Sequence, residues 1–436
     1  MKFQTPGAPA ANRGFTLLEV MIALTLGLLL SAGILTVFSG TSRTNKIQDG
    51  LARLQENGRF AIMRMTQDLR MTGAQYCSNN TGASAPGAVV PVLAGRAPMV
   101  YAKNIALPDS TFKSIDGAGL PSADDATAPY GLSPRWFMQG YSCGASTCTP
   151  TLSTATGIPD MGVAAGKRVK GSDVLTIRYQ RGTGWPLAIG SCSVAGANPL
   201  AAGTTFNLNP QSGDDPIGNM QPGRALISDC INPTVIPISG VSGNTLTVGD
   251  ILPGATGIVC SGSRLHDVRL FNFDTDFVTV SYYLALREDD NPDARRNSSA
   301  AKRLIPVLIR RENGVEQELV RGVDQLMFRY AVQDATGNTR IMTASEVQAG
   351  TACPPPPPGL NVEPGCLWRS VRAIEPHLLV NTVDDIASMD ASSRSYRFDG
   401  TLVTKGETDL LPSGLQAGNQ PRREFIAYIS NHSVNL

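Results

Sequence analysis

Hydrophobic and polar positions divide the chain into two unlike parts. After a short polar stretch containing Lys2 and Arg13, residues Phe15 to Phe38 form an almost unbroken apolar run whose one charge is Glu19. As a helix, about 24 residues at 1.5 Å each would span roughly 36 Å, enough to cross a hydrocarbon layer of about 30 Å. Beyond Phe38 the pattern turns amphipathic. Ile47, Leu51, Leu54, Gly58, Ile62, Met65 and Leu69 recur at steps of three or four, which predicts one apolar helix face. Arg43, Lys46, Asp49, Arg53, Glu56, Arg59, Arg64, Asp68 and Arg70 fill the other faces. No proline interrupts the chain from Phe15 to Ala85, so a single helix is expected through both parts, with Thr72-Gly73-Ala74 as its stop. The amphipathic stripe is expected to seam that helix to the protein's own sheet.

From about Tyr76 the period shortens towards two. Strands are predicted at 173–179, 244–248, 277–286, 303–310 and 324–330, each rich in β-branched and aromatic residues and bounded by Gly, Pro, Asn or Asp. Pro306 predicts an edge strand or a bulge in its segment. Residues 78–170 are weakly patterned and read as long loops with short strands. No internal repeat is visible.

Composition sharpens this picture. The 436 residues carry 37 Lys plus Arg against 36 Asp plus Glu, and only 17% are charged, below the roughly 25% of an average soluble protein. A net charge of +1 excludes the basic excess expected of a nucleic-acid binder. Six basic residues against three acidic ones between Ser39 and Arg70, with Phe60 as the one aromatic and so no series for base stacking, read as a solvated or partner-facing surface. With 44 Gly and 30 Pro, the part beyond the helix reads as a loop-rich β protein.

Glu19 is the anomaly in the apolar run. A carboxylate inside a membrane helix costs roughly 2.5–3.5 kcal/mol, so it should have a partner. A secretory signal peptide would have a shorter apolar core of about 7–15 residues. Lys2 and Arg13 before the run place the N-terminus in the cytoplasm and the rest outside, by the positive-inside rule.

Gly14-Phe15-Thr16-Leu17-Leu18-Glu19, following a basic leader and opening an apolar helix, resembles the type III signal of type IV prepilins and pseudopilins. The resemblance implies cleavage by a prepilin peptidase between Gly14 and Phe15, and N-methylation of Phe15. Glu19 would then be the assembly carboxylate, meeting the new ammonium of a neighbouring subunit. The order of Gln55 to Gly73, Gly171 to Tyr179, Ser228-Asp-Cys230, Tyr282 to Ala285 and Leu319 to Leu326 resembles the PilW-like minor pilins.

The implied fold class is α+β and pilin-like, with a long N-terminal hydrophobic α-helix packed on a C-terminal antiparallel β-sheet head with long loops. The expected organisation is a cleaved leader at 1–14, a transmembrane and filament-core helix at 15–38, and its amphipathic extension at 39–73. A Gly/Ala/Pro/Ser-rich insertion at 74–170 and a β-rich head at 171–436 complete it. The implied role is non-enzymatic: a minor pilin in pilus initiation at the tip. Its partners would be other minor pilins, the major pilin, the prepilin peptidase, the inner-membrane assembly platform and a tip adhesin. The expected location is the bacterial inner membrane with a periplasmic head, then the pilus. A type II secretion minor pseudopilin and a pilin-anchored tip adhesin are the alternatives.

All eight cysteines lie beyond the apolar run, where that orientation puts them in an oxidising compartment. Cys143 and Cys148 could close a small loop, and Cys353 and Cys366 could staple the polyproline stretch at 354–358. Cys77, Cys192, Cys230 and Cys260 are left unassigned, because eight cysteines allow 105 connectivities. No Cys-x-x-Cys or Cys/His cluster suggests a metal, and no cofactor is expected. The chain is read as free of enzyme signatures, with no Gly-x-Ser-x-Gly, His-Glu-x-x-His, Walker loop or dinucleotide glycine fingerprint expected. Asp274, Asp276 and the acids at 289–293 could be catalytic or calcium-binding, but read more simply as turn acids. The three histidines are His266, His377 and His432.

Overall fold

The computed structural model describes residues 16–74, 98–102, 129–132, 134–152, 156–188, 202–228, 233–252, 268–289, 303–334, 337–351, 366–383, 395–403 and 420–431. The fold is α+β, with one long N-terminal apolar helix and a large antiparallel β-sheet region after it.

The helix runs unbroken from Leu17 to Arg70, 54 residues. It ends where Gly73 takes a left-handed φ of 69°, a conformation that glycine adopts without a Cβ clash. The N–H of Gly73 donates to the carbonyl of Arg178 at 2.8 Å, and Gln180 N–H donates to Ala74 O at 2.9 Å. The helix exit is thereby tied to the strand Val174–Gln180.

The helix meets two sheets. In the six-stranded sheet, Val315–Arg321, Leu304–Glu312, Phe277–Glu288, Val174–Gln180, Met138–Cys143 and Cys148–Thr149 lie side by side in that order. In the second, Thr339–Met342, Val323–Gln333, Val371–Asn381 and Arg422–Ile426 form the path, and Ile429–Ser430 also pairs with Val371–Asn381. One hydrophobic core joins Leu54, Ala61, Met65 and Leu69 of the helix to Tyr282, Leu284 and Leu308 of the first sheet and Phe328, Ile374 and Leu378 of the second.

Between Gln180 and Phe277, neighbours in the first sheet, the chain builds six strands of an eight-stranded sheet with its own core around Trp185, Phe206, Ile236 and Leu270. Met99–Val100 and Tyr130–Gly131 also join it, so the weakly patterned stretch before residue 171 contributes to both the first and this third sheet. An aromatic cluster of Trp136, Phe273 and Phe277 bridges them, with the Trp136 and Phe273 rings stacked 5.1 Å apart.

All five strands expected from the period-two pattern form, and the last three are longer than expected, Val323–Gln333 the most. Of the two readings of Pro306, the bulge holds and the edge does not. Its strand lies between two neighbours, and a bulge falls in the same segment at Leu308/Ile309. Pairing with Val315–Arg321 starts only at Val307, so Pro306 sits at the end of that ladder, where a missing N–H costs little. Pro376, inside Val371–Asn381, falls between the residues paired with Arg422–Ile426 and those paired with Ile429–Ser430, where the ladder is already interrupted.

Two expectations for the amphipathic stripe are corrected. Leu51 is exposed and Ile47 half-exposed, because the head covers the helix only from Leu54 onward. Asp68, placed by the pattern among solvated charges, is buried at 3% exposure, because it shares the face of Ala61 and Met65 at helical spacing.

Candidate assembly helix and its anchorage

The helix has two environments along one axis. From Leu17 to Phe38 every residue is exposed, including Leu17, Leu24, Leu28, Leu35 and Phe38. It is long and apolar enough to cross a membrane. Beside Gly27, Gly33 and Gly40 the surface is open. From Leu54 to Leu69 the same helix is locked into the head.

At the exposed end, Thr16 caps the helix. The N–H of Glu19 donates to Thr16 Oγ1 at 3.3 Å, while the Thr16 N–H and hydroxyl donate to Glu19 Oε2 at 2.9 and 3.0 Å. This reciprocal capping box satisfies orphan donors that a membrane could not. Sequence reading sought a partner for Glu19 only in a neighbouring subunit, although Thr-x-x-Glu before an apolar run is itself a legible capping signal. Gly14 and Phe15 lie outside the described residues.

At the other end, two contacts fix the helix. Gly58 faces the ring of Phe425, and a methyl group at Gly58 would overlap that ring. The second contact centres on Asp68. Arg310 Nε donates to Asp68 Oδ2 at 2.6 Å and Nη2 to Oδ1 at 3.1 Å, a two-pronged pair. Tyr179 donates to Oδ1 at 3.0 Å, and Tyr282 donates to Oδ2. The three donors come from three adjacent strands, and Tyr282 lies directly opposite Arg310 in the ladder. Burial pushes the Asp68 carboxyl up, but the hydrogen bonds of Arg310 and Tyr282 with Arg310's charge outweigh it and hold it below the ordinary value. Sequence reading missed this cluster. Its signals were an acid on the apolar stripe and Arg310 ending the apolar run of 304–309.

The remaining expected sites divide. Cys143 and Cys148 form a disulfide. Cys353, Cys77, Cys192, Cys230, Cys260 and the side chain of Cys366 lie outside the described residues, as do His266, His432 and the acids at 290–293. Asp274 pairs with Arg224 at 2.6 Å, Asp276 accepts from the Asn272 N–H at 2.8 Å, and Asp289 pairs with Arg303 at 3.1 Å, the behaviour of turn and strand-end acids. His377 is buried with a ring nitrogen 2.8 Å from Glu375 on one side and from Glu424 on the other. Among the described residues no group of three His, Cys, Asp or Glu side chains could hold a metal ion.

One enzyme pattern does occur, against expectation. Gly140-Tyr-Ser-Cys-Gly144 satisfies Gly-x-Ser-x-Gly. A nucleophile elbow needs a strand–turn–helix, whereas Ser142 sits within a strand and pairs with Thr149. The elbow is not formed.

A continuous helix, bare and apolar at one end and seated on an antiparallel sheet at the other, is the architecture of a pilin-like protein. Comparison with known families agrees. Residues 9–35 match the prokaryotic N-terminal methylation motif, a span that contains Gly14, Phe15 and Glu19, and residues 285–430 match the family described as Type IV Pilus-assembly protein W. The chain carries the signature of a type IV pilus minor pilin of the PilW class. It is 31% identical over 84 residues to the Pilin-like protein PilA3 of Thermus thermophilus, a match covering 19% of this chain and 36% of that relative. No solved structure matches.

Proposed function

We propose that this minor pilin acts at the start of pilus assembly and sits at the filament tip, with its head in the periplasm before assembly. The observation that carries the reading is the division of one helix into an exposed apolar handle, Leu17–Phe38, and a segment locked into a large head from Leu54. An apolar handle with no partner among the described residues needs lipid or the helices of other subunits. Three sheets of five to eight strands among the described residues make the head bulky, and bulky heads crowd a repeating shaft more than a tip.

In this reading prepilin peptidase cleaves after Gly14, Phe15 is methylated, and the Glu19 carboxylate meets the ammonium of a neighbour. The Thr16 cap holds Glu19 near that end of the helix in the meantime. Partners are other minor pilins, the major pilin and the inner-membrane assembly platform. N-terminal mass spectrometry with and without the peptidase is expected to find a mature chain starting at methylated Phe15. Deleting the gene is expected to reduce surface pili while secreted exoproteins persist. Normal piliation with lost secretion would instead assign the chain to type II secretion.

A further inference from the structure

We propose that the Cys143–Cys148 disulfide is a thiol–disulfide exchange site in which Arg168 stabilises the thiolate released on reduction. Arg168 is only 2% exposed. Its Nη1 donates to Cys143 Sγ and its Nη2 to Cys148 Sγ, each at 3.4 Å, so both sulfurs face one guanidinium. Its other acceptors are the carbonyl oxygens of Pro159 and Ser172. Among the described residues none of its hydrogen bonds goes to a carboxylate.

A buried cation normally has a hydrogen-bonded anion. Burial here pushes the Arg168 guanidinium down to about 10, offset only at longer range by Asp160, Asp173 and Tyr283. Neutral disulfide sulfurs are weak acceptors and supply no charge. Breaking the S–S bond would place a thiolate directly against the guanidinium and complete the missing pair. A cation beside a cysteine lowers its thiol pKa, and stabilising the reduced form makes a disulfide easier to reduce. Asp173, which accepts the Cys143 N–H at 3.0 Å, opposes the thiolate when ionised, but Arg168 touches the sulfurs themselves.

The reductant is an external dithiol. One of its thiolates attacks Cys148 Sγ beside the exposed turn at 144–147, forming a mixed disulfide while the Cys143–Cys148 bond breaks. The electron pair leaves on Cys143 Sγ as a thiolate against Nη1. The dithiol's second thiol releases its proton to water and displaces Cys148, which takes a proton from solvent. The dithiol ends as a disulfide and has given two electrons to the protein.

The test uses the full chain in detergent micelles, equilibrated with mixtures of reduced and oxidised dithiothreitol. Differential alkylation and peptide mass spectrometry then read Cys143 and Cys148 apart from the other cysteines. Wild type is expected to reach half-reduction in a mixture at least tenfold less reducing than Arg168→Met requires, about 30 mV per tenfold. Arg168→Lys should fall between them. A second measurement needs no variant: the alkylation rate of reduced wild type against pH should show a midpoint below the ordinary thiol value of about 8.5. Equal half-reduction in wild type and Arg168→Met, or a wild-type midpoint at or above that value, overturns the proposal.

Discussion

Arg310 holds both carboxylate oxygens of Asp68 across the boundary between helix and sheet, with two tyrosine hydroxyls completing the shell. This pair converts a solvent-tolerant helix end into a fixed joint between the apolar handle and the head. Both members are nearly fully buried, so Asp68 depends on Arg310 to offset its desolvation, and Arg310 depends on Asp68 together with Glu312.

Removing Asp68 takes the two-pronged partner from buried Arg310 and leaves it the part-exposed Glu312. Asp68→Ala is expected to cost about 3 kcal/mol, the low end for breaking a buried pair, because Glu312 remains, read as a lower midpoint in urea denaturation of the full chain in micelles. Because the folded carboxyl lies below its ordinary value, the stabilisation is present at neutral pH and is lost as pH falls through the folded value. A midpoint unchanged by Asp68→Ala would remove the joint from this account.

Gly58 is a second, purely steric joint. Gly58→Ala should destabilise by about 1–3 kcal/mol through overlap with the Phe425 ring, although alanine is the better helix former. Phe425→Leu in the same chain should restore part of the loss. Additive effects of the two substitutions in a double-mutant cycle would contradict the contact.

Glu19 predicts a separation of phenotypes. Glu19→Gln keeps the helix apolar and should leave membrane insertion intact, while surface piliation falls. Thr16→Ala should show a milder assembly defect, because it removes a cap worth about 1 kcal/mol without removing the charge. Membrane fractionation alongside pilus shearing distinguishes the two steps.

Asp173 gives a pH dependence of opposite sign to Asp68. Burial pushes its carboxyl up to about 6, against the hydrogen bonds from the Cys143 and Phe328 N–H groups. An unfolded aspartate releases its proton near pH 3.9, so the folded state binds more protons between about pH 4 and 6. Stability contributed by this group therefore falls as pH rises through that window, by on the order of 3 kcal/mol. Asp173→Asn should flatten that part of the stability–pH curve, measured by urea denaturation at several pH values.

Elements whose cause is local could be read directly from the residues. An apolar run of helical length, an unbroken amphipathic continuation to Thr72-Gly73, and alternating β-branched strands were legible because periodicity records which side of an element meets water. The placement of Glu19 at the start of the apolar run was legible for the same reason. Where the helix ceases to be bare was not: Ile47 and Leu51 obey the stripe as well as Leu54 does, and only the extent of the head decides which are covered. Asp68 looked like a solvated charge because its partners lie 111 to 242 residues away. Pro306 left an edge and a bulge equally open, because the offset of a neighbouring ladder cannot be seen from one strand. Tertiary structure decided these points because they depend on register between segments remote in sequence, which bring a guanidinium, two phenols and a carboxylate to a single place.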